Sequence, residues 1–262
     1  MPKRIILHPG FHKTGTTSVQ RFLRLNRAAL RPYVALRLRW HLKNLLFATR
    51  KYATDRDALD LVKVHARFGR VLHELPDMPR RTLLFAAEEL LGHLPGRGTL
   101  ADYSAAPELL YGFCESLKTQ FPQAEIVIYL STRAQSPWLA SAYWEHVKSS
   151  SLTMDYDGFV ARYAQAAELD AMAAEIAARV PARLETCALE VSRDLPFGPA
   201  TPLLDLCEIP APLRKTLQVE PAANVQGTAE ALAKMLDVNR NTKGAQRRNR
   251  LKAAILKEAG LA

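Results

Sequence analysis

The run His8-Pro9-Gly10-Phe11-His12-Lys13-Thr14-Gly15-Thr16-Thr17-Ser18 gathers groups suited to holding an anion. Thr14, Thr16, Thr17 and Ser18 offer hydroxyl donors, and Lys13 adds a mobile positive charge. The apolar Ile5-Ile6-Leu7 precedes the run, and Val19, Phe22 and Leu23 follow it at helical spacing. That order reads as strand, glycine-containing loop and helix. Such a loop aims successive backbone N–H groups and the positive end of a helix into one concavity, which suits phosphate. Further along, Arg133 closes an apolar run and Ser141 follows eight residues later. An arginine supplies a planar fork that matches phosphate. Glu88 and Glu89 follow the apolar Thr82–Ala87 run, where a carboxylate can serve as general base. Neighbours at a strand end point opposite ways, so one of the two faces a site and the other does not. His8 and His12 flank the loop and are alternative bases.

Gly10-x4-Gly15 has the spacing of the nucleotide-binding P-loop, but Thr16 occupies the place of its lysine. Lys13 instead stands two residues before the second glycine. Lys13-Thr14-Gly15-Thr16-Thr17-Ser18 closely resembles the 5′-phosphosulfate loop of sulfotransferases that use 3′-phosphoadenosine 5′-phosphosulfate (PAPS). The longer string from His8 to Gln20 is similar to bacterial members of that family. The resemblance implies a P-loop NTPase-like domain and a donor cradled by His12, Lys13, Thr14, Gly15, Thr16, Thr17 and Ser18. It implies that Arg133 and Ser141 hold the 3′-phosphate, and that adenosine 3′,5′-bisphosphate is the product. Lys13 takes the role of catalytic cation, and Glu88 that of base. Bacterial sequences of this kind carry Ser-Ser-Glu-x-Leu at that point; here Ala86-Ala87-Glu88-Glu89-Leu90 keeps the glutamate and leucine and loses both serines. The family's basic C-terminal 3′-phosphate contacts are matched only loosely by Thr242-Lys243-Gly244 with Arg247, Arg248 and Arg250. The implied reaction moves a sulfuryl group to a hydroxyl or amine of a small-molecule, glycan or lipid acceptor and requires no metal. The alternatives are a P-loop kinase or NTPase with an altered loop, and a non-catalytic anion-binding protein.

These residues need a scaffold, and the rest of the chain supplies one. The 262 residues are 48% hydrophobic, enough for one large core. Thr82–Ala87, Glu125–Leu130 and Arg183–Leu189 read as further strands. Helical patterns cover about 36–47, 55–74, 107–120, 137–147 and 155–179, with a short one at 203–207. The block from about 35 to 80 carries no strand signal and reads as a helical insertion beside the site. C-terminal helices are expected at about 228–262, joined by a basic linker over 239–244. Alternating strands and helices predict a three-layer α/β domain with a mainly parallel sheet. A net charge of +10 suits an anionic partner. No nucleic-acid-binding module is evident, so nucleic acid is not expected. Cys114, Cys187 and Cys207 lie far apart without metal spacing, which predicts reduced thiols and a cytoplasmic setting. No run has the length of a transmembrane helix.

Overall fold

The structure, a computed structural model, describes residues 1–76, 78, 80–219 and 227–261. Five parallel strands, β1 (Arg4–His8), β2 (Val34–Leu38), β3 (Thr82–Ala86), β4 (Glu125–Thr132) and β5 (Arg183–Ala188), form one sheet. Their spatial order is β2-β3-β1-β4-β5, with Ile5 of β1 opposite Leu83 of β3 and Ile126 of β4. Side chains alternate between the two sides of a strand. Ile5, Leu7, Leu83, Phe85, Ile126 and Ile128 therefore share one face, and Ile6, Leu84, Ala86, Val127 and Tyr129 the other.

Each face is covered, which makes three layers. The second face packs against α1 (Thr16–Leu25), through Val19, Phe22 and Leu23, and against the segment carrying Leu203 and Leu204. The first face is covered by α2 (Lys43–Asp55), α3 (Ala58–His73), α4 (Ala106–Gln120), α5 (Gln135–Ser149), α6 (Tyr156–Tyr163) and α7 (Leu169–Arg179). Two last helices, α8 (Ala229–Asn241) and α9 (Ala245–Glu258), follow, α8 joining the same core through Ala231 and Met235. Complete burial of a Leu or Ile side chain contributes about 1.5–3 kcal/mol, and Ile5, Ile6 and Leu7 are wholly buried. Asp57 and Asp155 accept from the N–H groups of Leu59 (2.7 Å) and Gly158 (2.9 Å), starting α3 and α6.

Three sequence expectations are corrected. Val34–Leu38 is a strand, not the start of a helix, and α2 begins only at Lys43. Val34, Leu36, Leu38, Trp40 and Leu42 alternate at period two, and the basic residues between them imitate an amphipathic helix. The continuous helix expected over 155–179 is broken by a 3₁₀ turn at Gln165–Ala167. Ala166 and Ala167 are buried there, so packing overrides the helix propensity of the alanines, and the Ala164 carbonyl accepts from the Ala167 N–H at 3.1 Å and from Gln135 Nε2 at 3.3 Å. The expected linker from 239 is helical as far as Asn241, because the Asn239 amide donates to the Val147 and Leu152 carbonyls at 3.1 and 2.8 Å. The expected C-terminal helices reach Glu258, and residue 262 lies outside the described residues.

Candidate functional site

Parallel α/β sheets place ligands outside the carboxyl ends of their strands. Pro9–Gly15 follows β1, Arg39 and Trp40 follow β2, Glu88 and Glu89 follow β3, Arg133 follows β4 and Glu190 follows β5. The loop residues, Glu88 and Arg133 thus collect at the carboxyl end of the sheet, while Ser141 lies within the helix that follows β4.

The loop after β1 is built around two glycines. A side chain on Gly10 would lie 2.4 Å from Thr16 Cγ2 and 3.2 Å from His8 Cε1. Gly15 has a φ of +91° and turns the chain into α1. Lys13 is left-handed as well, with a φ of +67°, a conformation that costs a non-glycine residue on the order of 1–3 kcal/mol. Among the described residues, no acceptor takes the backbone N–H groups of residues 13 to 18. Among the described residues the hydroxyls of Thr17 and Ser18 are also without a protein partner, whereas the Thr14 hydroxyl turns inward, donating to the Phe11 carbonyl and meeting Ser131 Oγ, both at 2.6 Å. Only the backbone of Thr14 is left to bind a ligand.

Two cations meet this loop. Lys13 Nζ lies 3.2 Å from Glu145 Oε2, on α5. Burial raises the Glu145 carboxyl, but Lys13 and Lys148 outweigh it and hold the group at about 2. Arg133 Nη1 donates to the Lys13 carbonyl at 3.0 Å, and Glu190 stands 3.9 Å from its Nε. That Nε is buried without a hydrogen-bond partner, a donor fit for an anion. Burial lowers the Arg133 guanidinium from its usual range; Glu190 opposes this and Arg193 adds to it. Ser141 lies on α5, part-buried, its hydroxyl free of protein partners among the described residues.

Glu88 and Glu89 open a 3₁₀ turn, Glu88–Leu91, rather than ending a strand, so the expectation that only one of them faces a site is corrected: both line one cavity, with different partners. Glu88 accepts a short hydrogen bond from the Thr16 hydroxyl, which supplies the orienting donor that Ala86 and Ala87 lack. Glu89 is buried and pairs with Arg39 and Arg50, each at 2.8 Å. His8 Nδ1–H donates to the Tyr129 carbonyl at 3.0 Å, which leaves Nε2 unprotonated, buried and unpartnered. Burial pushes that ring down to about 4, against the Tyr129 bond and Glu88, which raise it. His12 is clamped: its N–H donates to the Tyr103 hydroxyl (3.1 Å), that hydroxyl meets Nδ1 (3.1 Å), and Trp138 Nε1–H donates to its carbonyl (2.8 Å). Burial pushes the His12 ring down to about 3, with Glu89 opposing.

A cavity of about 590 Å³ opens on the β2–β3 side of the loop. Thr17, Gln20, Arg21 and Arg24 of α1 form one wall, and Arg39, Trp40, Lys43 and Arg50 another, with Glu88 and Glu89 at its inner end. Sequence reasoning missed this cavity, as well as Glu145, Tyr103 and Trp138. The period-two pattern of 34–42 was the available signal for the first. The loosely matched C-terminal residues Lys243, Arg247, Arg248 and Arg250 make no hydrogen bond or ion pair with the loop; Arg248 Nη1 donates to the Thr242 carbonyl at 3.2 Å. No group of three or more His, Cys, Asp or Glu side chains placed to hold a metal occurs among the described residues, and none of their helices is long and apolar enough to cross a membrane. Comparison with protein-family models, curated proteins and solved structures found no match.

Proposed function

We propose that the protein is a sulfotransferase that moves a sulfuryl group from PAPS to a hydroxyl or amine acceptor. One observation carries this reading: an unpaired nest of N–H groups at residues 13 to 18, with Lys13 inside it and Arg133 bonded to it from the end of β4. The bound donor supplies the activated sulfuryl group. Residues 13 to 18 hold its 5′ portion through backbone N–H groups and the Thr17 and Ser18 hydroxyls. Arg133 Nε and Ser141 receive the 3′-phosphate. Lys13 exchanges Glu145 for the phosphate oxygen that departs, where its charge stabilises the electron pair left by the broken S–O bond. Glu88, aligned by Thr16, takes the proton of the acceptor as the new O–S or N–S bond forms.

A second reading is an altered-loop kinase or NTPase: Thr17, at the position of the P-loop's metal-binding hydroxyl, lines the same cavity as Glu88, where the two would face a divalent cation. A competition titration decides between the two. Adenosine 3′,5′-bisphosphate should displace a bound adenine nucleotide far better than AMP without added Mg²⁺. Equal affinities, or tighter binding of Mg·ATP, would defeat the sulfotransferase reading.

A further inference from the structure

The cavity beside the phosphate loop has a charge that the transfer step does not use. Arg21, Arg24, Arg39, Lys43 and Arg50 line it, against Glu88 and Glu89. Glu89 is engaged by Arg39 and Arg50. Among the described residues, no carboxylate pairs with Arg21, Arg24 or Lys43, so the walls keep a surplus of unpaired positive charge. Thr17, Gln20, Arg21 and Arg24 fall at i, i+3, i+4 and i+7 of α1, so they share one face of the helix. With a rise of about 1.5 Å per residue, Arg21 stands roughly 6 Å and Arg24 roughly 10 Å along the helix from the loop end at Thr17. Trp40 is 39% exposed and lines the opposite wall, packed against the His41 ring at 5.1 Å. It offers a flat apolar face to a ring in the ligand. The volume lies within the usual range for small-molecule sites.

We propose that the acceptor is itself an anion: a hydroxyl compound with a ring, bearing a carboxylate, phosphate or sulfate group toward Arg21, Arg24 and Lys43. The inference rests on the sulfotransferase reading and names its substrate class. The ring lies on Trp40, the anionic group engages the unpaired cations, and the free hydroxyl reaches Glu88 beside the loop. The acceptor oxygen bonds to sulfur, the S–O bond to the donor phosphate breaks with its electron pair on the phosphate, and the hydroxyl proton passes to Glu88. A neutral acceptor would leave Arg21, Arg24 and Lys43 uncompensated.

The test is calorimetric, with adenosine 3′,5′-bisphosphate present. Cellobiose, its terminal uronic acid and its 6′-phosphate are titrated into the wild type and into the Arg21→Gln/Arg24→Gln and Lys43→Gln variants. Vesicles of phosphatidylinositol, whose headgroup is a hydroxylated ring on a phosphate, and of phosphatidylcholine form a lipid arm. All three positions are solvent-accessible, so the variants should fold. The anionic sugars, or the phosphatidylinositol vesicles, should bind at least about tenfold tighter than the probes without net charge, as for one charged hydrogen bond. The preference should shrink in the variants and with added salt. The sugar arm responding would assign a soluble acceptor, and the vesicle arm a lipid headgroup. Equal binding of neutral and anionic probes, or a preference that survives the substitutions, would overturn the proposal. The same samples report donor recognition. An anion preference without any preference for adenosine 3′,5′-bisphosphate over AMP would leave an anion site and remove its role as acceptor site.

Discussion

The sharpest test of the proposed donor site is the replacement of Arg133 by alanine. Its Nη1 is spent on the Lys13 carbonyl, and its buried Nε has no partner. A hydrogen bond from a charged group contributes about 1.5–3 kcal/mol. With tenfold in affinity for every 1.4 kcal/mol or so, that amounts to roughly 10- to 150-fold. The wild type should therefore prefer adenosine 3′,5′-bisphosphate over AMP by at least that factor, and Arg133→Ala should erase most of it. The substitution also removes the bond to the loop, which would weaken both nucleotides alike. The ratio of the two affinities isolates the 3′-phosphate, and the absolute affinity for AMP reports the loosened loop. Arg133→Lys keeps the charge and loses the fork, so it should recover only part of the preference. Glu190→Gln takes away the carboxylate 3.9 Å from Nε and should raise affinity for the bisphosphate a few-fold, near about 1 kcal/mol. Isothermal titration without Mg²⁺ gives all of these numbers. An unchanged ratio in Arg133→Ala would refute the assignment.

Lys13→Met should lower turnover by about a hundredfold or more, the usual effect of removing a transition-state donor, with AMP affinity kept; near-normal turnover of the folded variant removes its role. Glu88→Gln should depress the rate while leaving donor affinity intact, whereas Glu89→Gln should leave the rate and lower stability by about 1–3 kcal/mol, since it loosens the anchoring of Arg39 and Arg50; steady-state kinetics paired with urea unfolding separates the two. Stability should also fall in mild acid. His146 is buried on α5, where its Nε2–H donates to the Pro95 carbonyl at 2.7 Å. Burial holds His8 and His146 down to about 4 and His12 to about 3, so between the ordinary value near 6.5 and those values only the unfolded chain takes up protons. Each ring then costs up to about 1.4 kcal/mol per pH unit as the pH drops through that window. Thermal melts across it should show the decline, and His146→Gln should shed one ring's share; a flat profile would contradict neutral buried rings.

Much of this fold is legible in the sequence where local signals agree. Ile5-Ile6-Leu7, Leu83-Leu84-Phe85 and Ile126-Val127-Ile128 are continuous apolar runs with turn residues beyond them, and each is a strand buried on both faces. The loop is legible for the same reason, because its hydroxyls, glycines and lysine act within a few residues of one another. What was missed acts at long range. Glu145, Tyr103 and Trp138 reach the loop across 132, 91 and 126 residues of chain, and no local period records such contacts. The ambiguity of Val34–Leu38 had the larger effect. Read as a helix, 36–47 would present Arg39, Trp40 and Lys43 on a face whose direction is open. As strand β2 paired to β3, with Leu38 beside Ala86, it turns at Arg39 just where Glu88 and Glu89 emerge. The register of one edge strand therefore decides which charges line the cavity beside Glu88, and through them which acceptors the proposed site would admit.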